Sequence, residues 1–138
     1  MINFDSHTDF ELKNKPDYAT WLSSVIKSEK YKEGELTFVF CDDAYLHSLN
    51  LKFLGHDYLT DILTFSDNVG DEINGDICIS IERVKENALN YNNPFERELA
   101  RVLVHGVLHL CGHEDQTQAQ KSDMRTKENF YLSSFFSQ

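Results

Sequence analysis

A chain of 138 residues, 41% of them hydrophobic, with ten Phe and six Tyr, has the length and apolar content for one folded domain over residues 1–138 and is too short for two independent cores. Thirteen Lys plus Arg against 23 Asp plus Glu give a formal charge of -10, so a nucleic-acid role would need a local strip of cations, a bound metal or a helper. No apolar run reaches the roughly 18 residues of a membrane span, the N-terminus lacks a basic-then-apolar leader, and three scattered cysteines, Cys41, Cys78 and Cys111, fit reduced thiols in a cytoplasmic protein.

The segment PDYATWLSSVIKSEK predicts an amphipathic helix, because Tyr18, Trp21, Leu22, Val25 and Ile26 recur at helical spacing and Pro16 suits its start. ELTFVFC is aromatic and β-branched and predicts a strand. DDAYLHSLNLKFLG opens on acidic N-cap residues and closes on Gly55, so a second helix is expected. DILTFS and the alternating GDICISIE read as strands on either side of the turn-rich DNVGDEING, with Gly75 supplying a turn and Asp76 a structural residue where loop becomes strand. RVKENALNYN predicts a helix with Val84, Ala88 and Leu89 facing inward.

NPFERELARVLVHGVLHLCG has the best-marked helix ends: Asn93 as N-cap, Pro94 in the first turn, Glu96 and Glu98 at the positive end of the dipole, and Gly112 as a left-handed stop. AQKSDMRTKENFYLSSFF predicts a last helix, with Met124 and the phenylalanines as core. Helices before, between and after a few strands describe an α+β domain.

On the helix ending at Gly112, His105 and His109 stand at i and i+4, so their rings leave one face a turn apart and can share a divalent ion. Gly112 lets the chain swing back, bringing Asp115 into reach as a third ligand; His113 is the alternative. The i, i+4, i+10 spacing resembles that of the metzincin-type zinc proteases, except that Gly106 takes the place of their glutamate base.

HGVLHLCGHED also resembles H-G-x-L-H-L-x-G-Y-D-H, the signature of the YbeY-type endoribonucleases. LNLKFLGHDYLTDILTF is similar to that family's L-N-x-x-Y-R-x-K-D-x-P-T-D-V-L-S-F, GDICIS to its G-D-I-x-I-S, and MRTKE to its M-R-x-x-E, all in the family's order across roughly residues 36 to 130. The resemblance implies a single-domain α+β fold, a small mixed sheet packed by helices with a zincin-like metal-binding helix. It further implies one divalent ion, zinc in the first place, held by His105, His109 and Asp115, and cleavage of single-stranded RNA. Roles in small-subunit ribosomal RNA maturation and ribosome quality control, beside small-subunit ribosomal proteins, follow from the same resemblance.

The chain departs from that pattern where the third ligand histidine becomes Asp115, the arginine becomes Leu54, the lysine His56 and the proline Leu59. A leucine cannot hold phosphate, so His56, Arg101 or Arg125 is expected to supply the cation, unless catalysis leans harder on the metal. His56 and Asp61 are candidates for proton transfer, Thr60 and Asp61 otherwise capping a turn. The nucleophile is water or the substrate's own 2′-hydroxyl. The strand GDICIS is expected to flank the cleft as a sheet edge guiding the substrate, Arg125 and Glu128 to form a surface ion pair, Cys111 to be packed rather than reactive, and His7 and His47 to be ordinary surface histidines. Two other functions fit parts of the pattern: a metal-dependent peptidase, which Gly106 disfavours, and a ribosome-associated binding protein with a structural, four-ligand metal site in which His113 takes part. Acidity suits docking to basic ribosomal proteins.

Overall fold

The computed structural model describes residues 1–58 and 60–136. Leu59, where the family motif carries proline, lies outside the described residues. The elements run β1 (Ile2–Ser6), α1 (Lys15–Ser28), β2 (Lys32–Cys41), α2 (Asp43–Leu54), β3 (Ile62–Ser66), β4 (Glu72–Ser80), α3 (Ile81–Asn90), α4 (Phe95–Leu110) and α5 (Gln118–Phe136). This is the expected α+β domain with a small mixed sheet: strand order β1-β2-β4-β3, β2 parallel to both β1 and β4, and β3 antiparallel to β4.

The period-2 alternation of β2 divides the core. Leu36, Phe38 and Phe40 join Ile73, Ile77 and Ile79 of β4 on the face covered by α1, α4 and α5. On the opposite face Val39, Cys41, Cys78, Leu63 and Phe65 pack with Leu46 and Leu49 of α2. Helix α4 is the central element. Leu99, Leu103, Val104, Val107 and Leu108 are almost wholly removed from water, each worth about 1.5–3 kcal/mol in transfer terms. The three thiols are buried, and burial pushes Cys41 and Cys111 up to about 12 and Cys78 to about 11, so they stay protonated and Cys111 is a packed residue.

Several expectations hold locally. Asp42 caps α2 by accepting from the Tyr45 N–H at 2.8 Å, and Gly55 ends it at φ 67. The five predicted apolar residues of α1 are all buried. Other expectations are corrected. A strand, β1, precedes α1. β4 begins at Glu72, so Asp76 is not a loop-to-strand residue but an exposed mid-strand one, on the sheet face shared with Cys78. Leu89 faces water at 80% exposure, because Val84, Ala88 and Ile81 already define the buried stripe of α3. Pro94 rather than Asn93 occupies the N-cap position of α4. Among the described residues no helix is long and apolar enough to cross a membrane.

Candidate active site

His105 and His109 leave the one face of α4 that is not packed, their rings 6.2 Å apart and within 13° of parallel. Each is held by its Nδ1. His109 Nδ1 donates to the His113 carbonyl at 2.9 Å, and because a carbonyl only accepts, the proton sits on Nδ1 and the Nε2 lone pair is left for a ligand. His105 Nδ1 lies 2.8 Å from Oε2 of Glu128, whose Oε1 accepts from Arg101 at 2.9 Å; Arg101 also donates to Asn129 at 2.8 Å. Burial lowers the pKa of His105, but the Glu128 hydrogen bond and charge, with Asp115 and Asp61 behind them, raise it further, and the net shift is upward.

The turn after α4 brings the third group back. Gly112, at φ 96, donates to the His109 carbonyl and His113 N–H to the Leu108 carbonyl, closing the helix end. Asp115 Oδ2 then stands 3.4 Å from His105 Nε2. Two ligands of one tetrahedral zinc, with bonds of about 2.0–2.1 Å, are separated by about 3.3–3.4 Å. His105 and Asp115 stand at that separation, and with His109, its Nδ1 tied, they are donors of the kinds zinc takes. Among the described residues no group of three or more His, Cys, Asp or Glu side chains is placed to hold a metal ion as it stands.

His113, the alternative ligand, has its ring turned to the other side of the loop, where Nε2 meets Glu29 at 2.6 Å. Glu29, only 7% exposed at the side chain, also accepts from Lys127 at 3.1 Å and from the Tyr131 hydroxyl. Burial alone would raise the Glu29 pKa, but its hydrogen bonds from Tyr131, His113 and Lys127 outweigh that and hold it below the ordinary 4.5. A carboxylate lowered on folding contributes stability above its unfolded pKa and loses it as pH falls through the folded value. Glu29→Ala is therefore expected to cost about 3 kcal/mol near neutral pH, the lower end for a broken buried pair, and to lose less as pH falls below 4.5. Urea midpoints of wild type and variant across that range check it.

The histidine face opens on a groove of about 1190 Å³. His56, Asp61 and Arg125, predicted as catalytic, all line it together with His105, His109 and Asp115. Asp61 ends the α2–β3 loop; burial first, and then the charges of Glu128 and Asp115, raise its pKa against the opposing effect of His105. Its Oδ2 takes a 3.4 Å contact from the Asn87 amide. Leu54 lines the same groove at 46% exposure, so the position of the family's arginine does face the site.

Three expectations change here. Glu128 is buried and bonded to Arg101 and His105, so the surface pair with Arg125 does not form; Arg125 is left facing the groove. Arg101 is committed to Glu128 and Asn129. β4 lies inside the sheet, and the edge strand along the groove is β3, through Ile62, Leu63 and Thr64. Sequence reasoning also missed Arg101 as the brace of Glu128, and Asn87. The M-R-x-x-E match was the available signal for Glu128.

Paired imidazoles, a half-buried carboxyl and groove-facing cations around one open cleft, on an α+β frame, are the groups that hydrolysis of an anionic chain calls for. The family model described as Endoribonuclease YbeY matches residues 2–136. Endoribonuclease YbeY of Flavobacterium johnsoniae is 50% identical over 135 residues, spanning 98% of this chain and 97% of that protein; the Flavobacterium psychrophilum protein of the same name is 51% identical over 98% and 96%. The solution structure of TM1509 from Thermotoga maritima superposes with a TM-score of 0.70 at 29% identity, covering 99% of this chain and 90% of that one. The chain belongs to the YbeY family of endoribonucleases.

Proposed function

We propose that the protein is a zinc-dependent, single-strand-specific endoribonuclease that matures small-subunit ribosomal RNA and serves ribosome quality control in the cytoplasm, beside small-subunit ribosomal proteins. The observation that carries the metal site is the 3.4 Å approach of Asp115 to His105 Nε2, with both histidine Nδ1 atoms already engaged. His105, His109 and Asp115 would hold the ion, and zinc bound there would supply Lewis-acid polarisation of a phosphoryl oxygen.

The chain's own residues do the rest. Glu128 holds the His105 ring and the His113 carbonyl holds that of His109, each through Nδ1, which leaves both Nε2 atoms for a ligand. Asp61, its pKa raised by burial, keeps a proton on its carboxyl closer to neutral pH and can give it to the departing oxygen of the RNA chain. Arg125 takes the phosphate-holding part that Leu54 cannot, since Arg101 is occupied by Glu128. The peptidase reading is disfavoured by Gly106, which is packed against Ile77 and Ile62. The structural-metal reading needs His113, whose ring is bonded to Glu29.

Elemental analysis of wild type, His109→Ala and Asp115→Ala, purified without chelator, tests the site alongside cleavage of an unstructured RNA. About one zinc per chain in the wild type, little in either variant, and cleavage abolished by chelator are expected. A wild type that neither contains nor takes up zinc would sink the metallohydrolase mechanism.

A further inference from the structure

Two unlike sets of side chains line the groove. In one, Leu54 and His56 stand where the family motif carries arginine and lysine, and Tyr58 follows two residues on. The His56 and Tyr58 rings are stacked at 5.2 Å and 19°, and are tied edge to edge by a 3.0 Å hydrogen bond between the Tyr58 hydroxyl and His56 Nδ1. The backbone beneath them is anchored by the buried Asn50, whose amide donates to the Tyr58 carbonyl at 3.1 Å. Tyr58 is nonetheless 55% exposed, and Tyr91, one helical turn beyond the Asn87 that reaches Asp61, is 60% exposed. Both line the groove. In the other set, Lys121 and Arg125 stand at i and i+4 on α5, exposed, without a salt bridge to any described residue.

A protein of charge -10 with only Lys121 and Arg125, among the described residues, as exposed Lys or Arg in its cleft has little means of gripping RNA by phosphate neutralisation. Aromatic faces offer a grip that does not depend on charge, and only unpaired bases can lie on them. We infer that His56, Tyr58 and Tyr91 form a base-stacking wall for single-stranded RNA, with Lys121 and Arg125 holding the adjoining phosphates. This rests on the nuclease reading above and adds how its substrate is gripped: affinity for the strand comes mainly from its bases, and the rings select against duplex.

The test is fluorescence anisotropy of the protein as purified with two labelled 2′-O-methyl oligonucleotides of one length, one carrying bases and one abasic, with recovery of intact probe checked on a gel. The abasic probe is expected to bind about a hundredfold more weakly, two stacked bases at about tenfold each. Tyr58→Ala should lose about tenfold on the base-bearing probe and nothing on the abasic one, while Tyr58→Phe stays near wild type. The salt slope should be about -1.4, two phosphates at roughly -0.7 each. Equal binding of the two probes, an equal loss by Tyr58→Ala on both, or a slope several times steeper would overturn the wall. Thermal midpoints establish that the variants fold. Cleavage of an ordinary single-stranded RNA by zinc-loaded wild type decides the nuclease reading separately. Cleavage with indifference to bases sinks the wall alone, and base discrimination without cleavage supports the wall while sinking the nuclease reading.

Discussion

Glu128→Ala is expected to lower the stability of the metal-free protein by about 3–5 kcal/mol and to weaken zinc binding about ten- to a hundredfold. The Glu128 side chain is 6% exposed and bonds Arg101 with one oxygen and His105 with the other. Truncation leaves Arg101, itself 11% exposed, with the neutral Asn129 carbonyl as hydrogen-bond acceptor and the charge of the buried Glu98 near by. The loss of the bonded carboxylate from that guanidinium is the larger part of the stability cost. The effect on the metal has a separate origin: His105 loses the acceptor that holds its Nδ1 proton and aims Nε2 at Asp115. Glu128→Gln separates the two, since an amide of the same shape still accepts one hydrogen bond but no longer neutralises Arg101. Urea unfolding of the metal-free variants and zinc affinity by chelator competition are the measurements. A Glu128→Ala protein with wild-type zinc affinity would remove Glu128 from the site and leave it a structural residue.

The same residue shows where sequence reading succeeds and where it stops. The His105–His109 pair, the Gly112 turn and the Asp42 cap were legible because each is set by spacing within one segment or by one residue's backbone preference. Glu128 was read against Arg125, three residues away on its own helix; its partners, Arg101 and His105, lie on α4. No local rule reports a pairing between two helices. β1 escaped for a related reason: INFDS has only two apolar residues, and its place is fixed by parallel pairing with β2 more than thirty positions on. The edge position given to β4 belongs to β3, because β4 inserts between β2 and β3 and strand order is a property of the assembled sheet. The role of His113 follows the same pattern. It stands where the signature carries tyrosine and was the second choice for the third ligand, and only the return of α1 behind the loop reveals that Glu29 has claimed its ring.

Gly106→Glu, which would restore the glutamate of the zinc proteases, is expected to leave most of the protein unfolded. A Cβ at Gly106 would lie 2.9 Å from Ile77 Cγ2 and 3.0 Å from Ile62 Cδ1, so the position after the first histidine points into the sheet and not into the groove. Gly106→Ala already sets two effects against each other. The helix gains about 1 kcal/mol from losing a glycine, while overpacking costs about 1–3 kcal/mol, and the full burial of Ile77 gives it little room to yield. A net loss of about 1 kcal/mol follows. Glutamate adds a carboxylate surrounded by isoleucine side chains with no cation to meet it, several kcal/mol more, in a domain whose whole stability is expected to be about 5–15 kcal/mol. Circular dichroism melts of both variants beside wild type check the ordering. The close seating of α4 on β3 and β4 that demands glycine also presents the unpacked His105–His109 face to the groove. A folded and stable Gly106→Glu protein would mean that α4 can lift from the sheet, and would reopen the peptidase reading.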